Sequence, residues 1–490
     1  MNELLTVFSP LAAVSDKLNE EKEGIKALAS SLGAAYDTPC PPSCPCSQDL
    51  CRPLPTSSKA ICFPSDHNID SNLYSCTDLL AKDRVTSNCA SVVVTNTTSS
   101  VNYVRVDENG NVTLSQNPEN TQTSAVCRTQ QLDDVFQSIS TTFGTYYVDY
   151  YVGTIDGSVR TFPGREDQTD NCAAFDSRKR PFYNGGISYP NHLVILIDRG
   201  SDMGGDATLP AGTSSGSRLE NAQKFASSLM ETVYVDSYVN VFTFGGGGGI
   251  PYQDSRKVLF NYTNPQNHPE LQPLKNQIIS TIINDTATVP ADFVEALNVS
   301  FRAFDTVSES LALNIIIFTD GGFTATIDYS DASTVAVINQ VKSRTKLFIY
   351  GITPAASDAG LQTLSNRVDG YYRNLETLPD FRGPLVSMGT YFGYLAASHK
   401  ISYGDTPFWT RNYKDFFSIG DIVTVAMPAF NTNNTFVGVA GIDITLDELG
   451  PSKGSNEVRD DFNNAVRNRR NNQTQLTQPA PVAADIPNTF

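Results

Sequence analysis

The chain has 490 residues, 40% of them apolar and 18% charged, a composition that allows two or three domains with their own cores and excludes a wholly disordered chain. Its 35 basic and 52 acidic residues give a formal charge of −17, which argues against nucleic-acid or anionic-membrane partners and suits cations or basic surfaces. No apolar run is long enough to cross a bilayer, and the four histidines, His67, His192, His268 and His399, are too scattered for a zinc site or histidine-centred catalysis.

Met1 to Leu11 carries Glu3 and Pro10 and lacks a basic start, so it does not read as a signal peptide; a secreted protein would then be represented here by a mature or partial sequence. Residues 9–34 are expected to be helical, with Leu11, Leu18, Ile25 and Leu32 seven apart, packed along their own domain rather than in a coiled coil. All nine cysteines lie between Cys40 and Cys172, and most crowd into the Pro/Ser-rich segment 38–90. That crowding reads as a loop-dominated, disulfide-stapled insert made in an oxidising compartment, with one cysteine left over and no assignable connectivity. Asn-x-Ser/Thr sequons at Asn96, Asn111, Asn261, Asn284, Asn298, Asn433 and Asn472 are compatible with secretion and no more frequent than chance in so Asn/Ser/Thr-rich a chain.

From SVVVTN onward the pattern alternates, with hairpin turns at Asn109-Gly110 and Asp156-Gly157 and a short helix at LDDVFQSI, so residues 92–165 are expected to form an antiparallel sheet. At His192 the style changes. HLVILID, YVNVFTFG, LNIIIFTDGG and TKLFIYGIT are buried-looking strands separated by amphipathic helices, the form of a parallel sheet covered on both faces. Alternation returns after Leu385 in PFWTRNYKDF, GDIVTVAMPAF and FVGVAGIDITLDEL. A parallel α/β domain is therefore expected inside an antiparallel one, and beyond Gly450 the composition is that of a polar disordered tail.

LDDVF, FDSRKRPFYNGG, HLVILIDRGSDM, IIIFTDGG, FWTRNYKD and VTVAMPAF...VGVAGIDITLDEL resemble the α2δ auxiliary subunits of voltage-gated calcium channels and related Cache/von Willebrand factor A (VWA) proteins. The resemblance implies an α/β VWA domain, Rossmann-like with a parallel sheet, inserted into an α+β Cache domain with an antiparallel sheet. The corresponding division is an N-terminal Cache helix (1–37), the cysteine-rich insert (38–90), the first Cache half (91–190), the VWA domain (191–380), the second Cache half (381–450) and the tail (451–490).

A VWA metal site takes oxygen ligands from a D-x-S-x-S loop, a distant Thr and a later Asp, and leaves one position open for a partner carboxylate. Here the first loop is Asp198-Arg199-Gly200-Ser201-Asp202, the later acid is Asp320, and the threonine position falls at Ala291, beside Asp292. Asp198, Asp202 and Asp320 would favour Ca²⁺ over Mg²⁺; the other reading is an inactivated loop whose acids cap turns or pair with Arg199. By the same resemblance, Arg178 or Arg180 would hold the carboxylate of an amino-acid-like ligand, Phe182, Trp409 and Tyr413 would wall the pocket, and Asp443 would take the ammonium. Alternatively these groups tie two Cache halves together.

Gly212-Thr213-Ser214-Ser215-Gly216 follows no buried strand, and the Gly245–Gly249 run has no Lys-Ser/Thr after it, so neither a nucleophile elbow nor a phosphate loop is expected. The functional expectation is a non-enzymatic extracellular or cell-surface binding protein. Its partner would be a membrane protein, a matrix component or a second copy of itself. The alternatives are a small-ligand sensor and a surface-coat or filament subunit.

Overall fold

The structure is a computed structural model. It describes residues 12–37, 59–64, 74–75, 89–94, 104–106, 112–114, 128–129, 132–143, 149–155, 157, 159–162, 176–187, 191–207, 216–245, 255–259, 269–280, 292–307, 311–352, 355–375, 384–415 and 420–446. The tail beyond 450 and most of the cysteines lie outside these residues, as do the sequons at Asn96, Asn111, Asn261, Asn284 and Asn472.

Helix α1 spans Ala12–Asp37. Ile25, Leu28, Ala29, Leu32 and Ala35 are buried at helical spacing, and they pack with α2 (Leu132–Phe143) on one face of an antiparallel sheet. Strands β1 (Lys59–Pro64), β2 (Tyr74–Ser75) and β3 (Cys89–Val94) come from the cysteine-rich region. The hairpin expected at Asn109-Gly110 is present as β4 (Val104–Val106) paired antiparallel with β5 (Val112–Leu114), a separate two-stranded sheet. The second expected hairpin joins β6 (Tyr150–Thr154) to β7 (Val159–Phe162), and Gly157 in its turn has φ +92°, where a Cβ would be strained.

After α3 (Pro181–Ile187) the chain enters a second sheet. Its strands are β8 (Asn191–Asp198), β9 (Tyr238–Phe244), β10 (Arg256–Lys257), β11 (Ala312–Thr319), β12 (Thr345–Gly351) and β13 (Tyr371–Asn374). The order is β10-β9-β8-β11-β12-β13, parallel throughout except for β10 at the edge. Counted in chain order this is 3-2-1-4-5-6, the doubly wound arrangement whose switch point lies between β8 and β11. Alternation along the strands divides the core. Leu193, Ile195, Ile197, Ile316 and Phe318 face α4 (Arg218–Met230) and α5 (Gln272–Ser280). Val194, Leu196, Ile315 and Ile317 face α6 (Phe293–Asp305), α7 (Ala332–Arg344) and α8 (Ala355–Arg367).

The chain then returns through α9 (Gly389–Tyr403), β14 (Phe408–Trp409), β15 (Tyr413–Lys414), β16 (Asp421–Phe430) and β17 (Phe436–Thr445). Strand β17 pairs with β6, so segments on either side of the parallel sheet close one nine-stranded antiparallel sheet. Its far side runs β7-β3-β1-β2. Strands β1 and β2 thus extend the sheet where loops were expected, KAIC having the β-branched and apolar content that pairing needs, while β3 contains the VVV run expected as a strand. Residues 389–403, unassigned in the sequence, are a helix buried on nearly every side, which leaves no amphipathic stripe to read.

His192 is fully buried at the start of β8, donating from Nε2 to Asn240 Oδ1, with Nδ1 unpartnered. Burial lowers its pKa to about 4. The unfolded chain therefore binds a proton here between pH 6.5 and about 4 that the folded chain refuses, so stability from this residue is lost as pH falls through that window. The difference corresponds to on the order of 3 kcal/mol. In urea titrations at pH 7.5 and pH 4.5, His192→Gln should lose less stability on acidification than the wild type; equal losses would refute the assignment.

Candidate functional site

Two polar clusters carry the chemistry anticipated from the sequence. The first is at the carboxyl edge of the parallel sheet, at the switch point. Asp198 ends β8 and Thr319-Asp320 ends β11, neighbouring parallel strands, so both acids arrive at one edge. Asp198 is 2% exposed and Asp320 5%. Both oxygens of Asp198 are in use: Oδ1 accepts the Gly200 N–H at 2.8 Å and Oδ2 accepts the Thr319 hydroxyl at 2.6 Å. Thr319 Oγ1 in turn accepts the Gly321 N–H at 2.9 Å, and Asp320 Oδ1 accepts the Gly322 N–H at 2.9 Å. Burial, followed by the neighbouring Asp320, raises the Asp198 pKa to about 7, and burial raises that of Asp320 also. Arg199 turns away, its Nε donating to the Gly245 carbonyl at 3.0 Å, so it does not pair with these acids.

A divalent ion of the kind the resemblance implies does not fit these residues. The first serine position is Gly200, with no hydroxyl, and Asp202 at the second is exposed. Ala291 lies outside the described residues, and its neighbour Asp292 caps α6 by accepting the Glu295 N–H at 2.9 Å. Among the described residues, no three His, Cys, Asp or Glu side chains are gathered as a metal site.

The second cluster lies in the antiparallel sheet. On one face, Asp443 (β17) stands opposite Thr424 (β16), and its Oδ1 accepts both the Thr424 hydroxyl at 2.6 Å and the Tyr151 hydroxyl. The Tyr413 hydroxyl is 2.6 Å from Thr424 Oγ1. Burial, with Asp415 as the next cause, raises the Asp443 carboxyl well above its ordinary value. Phe182 packs edge-on against Tyr151 at 4.5 Å between ring centroids.

The other expected pocket residues are placed elsewhere. Trp409 pairs with Val425 and packs with Val423, Ile442 and α1, on the opposite face from Thr424 and Asp443, because strand side chains alternate. Arg178 is 1% exposed and grips Asp176 with Nε at 2.8 Å and Nη2 at 2.7 Å, while Nη1 donates to the Ile155 carbonyl at 3.0 Å. A bidentate buried partner leaves that guanidinium no fork for a ligand carboxylate. Arg180 is half-buried just before α3. The sequence reading missed Tyr151 and Asp176. The alternating TYYVDYY run and the acid two residues before Arg178 were their only signals. Among the sequons, Asn433 is exposed in the turn between β16 and β17, suited to a glycan, whereas Asn298 is half-buried within α6.

The strand order and the acidic loops at the switch point fit a von Willebrand factor A domain, here inserted between strands of an antiparallel sheet. The chain resembles calcium channel α2δ subunits. It is 25% identical over 316 residues to the rat (Rattus norvegicus) voltage-dependent calcium channel subunit alpha-2/delta-3 and 23% identical over 311 residues to the mouse (Mus musculus) alpha-2/delta-2 subunit. Both matches cover 61% of this chain but only 27% and 25% of those relatives, so the chain spans about a quarter of their length. A solved von Willebrand factor type A protein from Catenulispora acidiphila aligns with 52% of the chain and 57% of its own, at 12% identity and a TM-score of 0.31, too low to bear on the fold. No family model matches.

Proposed function

We propose that this chain is an α2δ-like, non-enzymatic accessory protein of the cell surface. Its antiparallel unit is a Cache lobe, and its inserted VWA domain docks a membrane-protein partner at the carboxyl edge. The similarity over 61% of the chain to subunits named for voltage-dependent calcium channels is the observation that supports this reading most. The site chemistry agrees with binding rather than catalysis, since Asp198 and Asp443 are buried and hydrogen-bonded within the fold among the described residues. Among the described residues no helix is long and apolar enough to cross a membrane.

Co-expression of the tagged chain with a voltage-gated calcium channel pore subunit, followed by affinity capture, tests the proposal. Capture of the pore subunit is expected, with roughly a tenfold loss for Asp202→Lys at the exposed rim of the edge, the size of a rim charge reversal of about 1.4 kcal/mol. No capture by the wild type, or ordered polymers formed by the purified chain alone, would favour the coat or filament reading instead.

A further inference from the structure

We propose that Arg218 is the resident cation of the VWA carboxyl edge, and that this edge is assembled without a divalent ion. Arg218 is the first residue of α4, where a positive side chain opposes the helix dipole and has no local reason to be. Its placement is explained by what lies in front of it. Nη1 donates to the Asp202 carbonyl at 2.7 Å, and the Arg218 backbone N–H donates to the Gly205 carbonyl at 2.9 Å, so the residue is fastened to the acidic loop by one side-chain and one backbone bond. A Cβ at Gly205 would come within 2.6 Å of Nη1, so the missing side chain there lets the guanidinium approach. Burial raises the Asp320 pKa most and the Asp202 charge raises it further, while the Arg218 charge acts in the opposite direction, in favour of the carboxylate.

The remaining groups close the edge from within. Thr319 fastens Asp198, the Gly200 N–H holds its second oxygen, and Asp292 is committed to capping α6. Both oxygens of Asp198 and one of Asp320 are therefore taken up by donors of the fold, and the hydroxyl that would complete the set is absent at Gly200. A guanidinium carries five donors and one positive charge in a fixed plane; it can neutralise neighbouring carboxylates without the coordination geometry an ion demands. For recognition, resting on the reading of this domain as the docking module, the consequence is that no open metal position awaits a partner's carboxylate and that docking survives chelation.

Thermal unfolding of the full chain decides the matter without any partner, so its outcome is independent of channel capture. The wild type should melt within about 1 °C in EDTA and in millimolar Ca²⁺, Mg²⁺ or Mn²⁺, whereas an ion bound at 100 times its Kd would add several degrees. Arg218→Met should melt lower in EDTA and regain part of the loss in Ca²⁺, because the uncompensated carboxylates then have use for an ion. A saturable rise of the wild-type Tm with any of the three ions, abolished by Asp320→Ala, overturns the proposal. An Arg218→Met protein that melts like the wild type in both buffers also overturns it. If Arg218→Met does not fold, Arg218→Lys keeps the charge: an ion-independent Tm supports the proposal, and an ion-dependent one overturns it.

Discussion

Replacing Arg178 with Met should cost about 3–5 kcal/mol, the usual penalty for stranding one member of a buried ion pair. Asp176 would remain in the interior, still accepting the backbone N–H of residue 178 at 3.0 Å but without the guanidinium. The loss would also release the β6–β7 hairpin, because Arg178 holds the Ile155 carbonyl and Ser177 N–H holds the Gly157 carbonyl at 3.0 Å. This clamp lies where the chain leaves the antiparallel sheet for the inserted domain, so the effect should concentrate in the antiparallel unit. Trp409 is the one tryptophan of the chain and sits in that sheet, so its fluorescence in urea reports the right transition. Asp176→Asn combined with Arg178→Met should recover more than half the loss, since no buried charge is then unpaired. A single-variant loss below about 1 kcal/mol would show the pair to be dispensable, against the penalty expected for a stranded buried charge.

Gly441→Val should cost about 3 kcal/mol, at the upper end for overpacking. Gly441 stands opposite Tyr151 in the β17–β6 register, and a Cβ there would lie 2.3 Å from the Tyr151 ring. The ring cannot easily step aside: Phe182 packs against it, and its hydroxyl is bound to Asp443. Displacing Tyr151 would strip Asp443 of one of its hydroxyl donors inside the core, which adds to the steric cost. Gly441→Ala should show the same direction with a smaller loss of about 1–2 kcal/mol. The same tryptophan-monitored urea titration measures both, and a Val variant as stable as the wild type would mean that the ring has room the geometry does not provide.

Much of the architecture was legible because periodicity survives in the sequence. HLVILID and LNIIIFT are continuous apolar runs because β8 and β11 are buried on both faces, and the hairpins announced themselves through Asn-Gly and Asp-Gly. Helix α9 was illegible because burial all round erases its stripe, and β1 was hidden among prolines and cysteines whose local signal is loop.

The chemistry divides along the same line. The sequence alone determined that Asp198 and Asp320 end strands of one parallel sheet, and that Arg178, Phe182, Tyr413 and Asp443 are unusual enough to matter. Only the tertiary structure decided what each does. Whether a carboxylate is a ligand or an internal acceptor depends on which donors reach it first, and those donors come from far along the chain: Thr319 for Asp198, Tyr151 and Thr424 for Asp443. Asp176 reaches Arg178 from two residues away, but only folding removes water from the pair and makes it a clamp. Strand alternation then placed Trp409 on the far side of the sheet from Asp443, because a side chain's face follows from its register with the neighbouring strand.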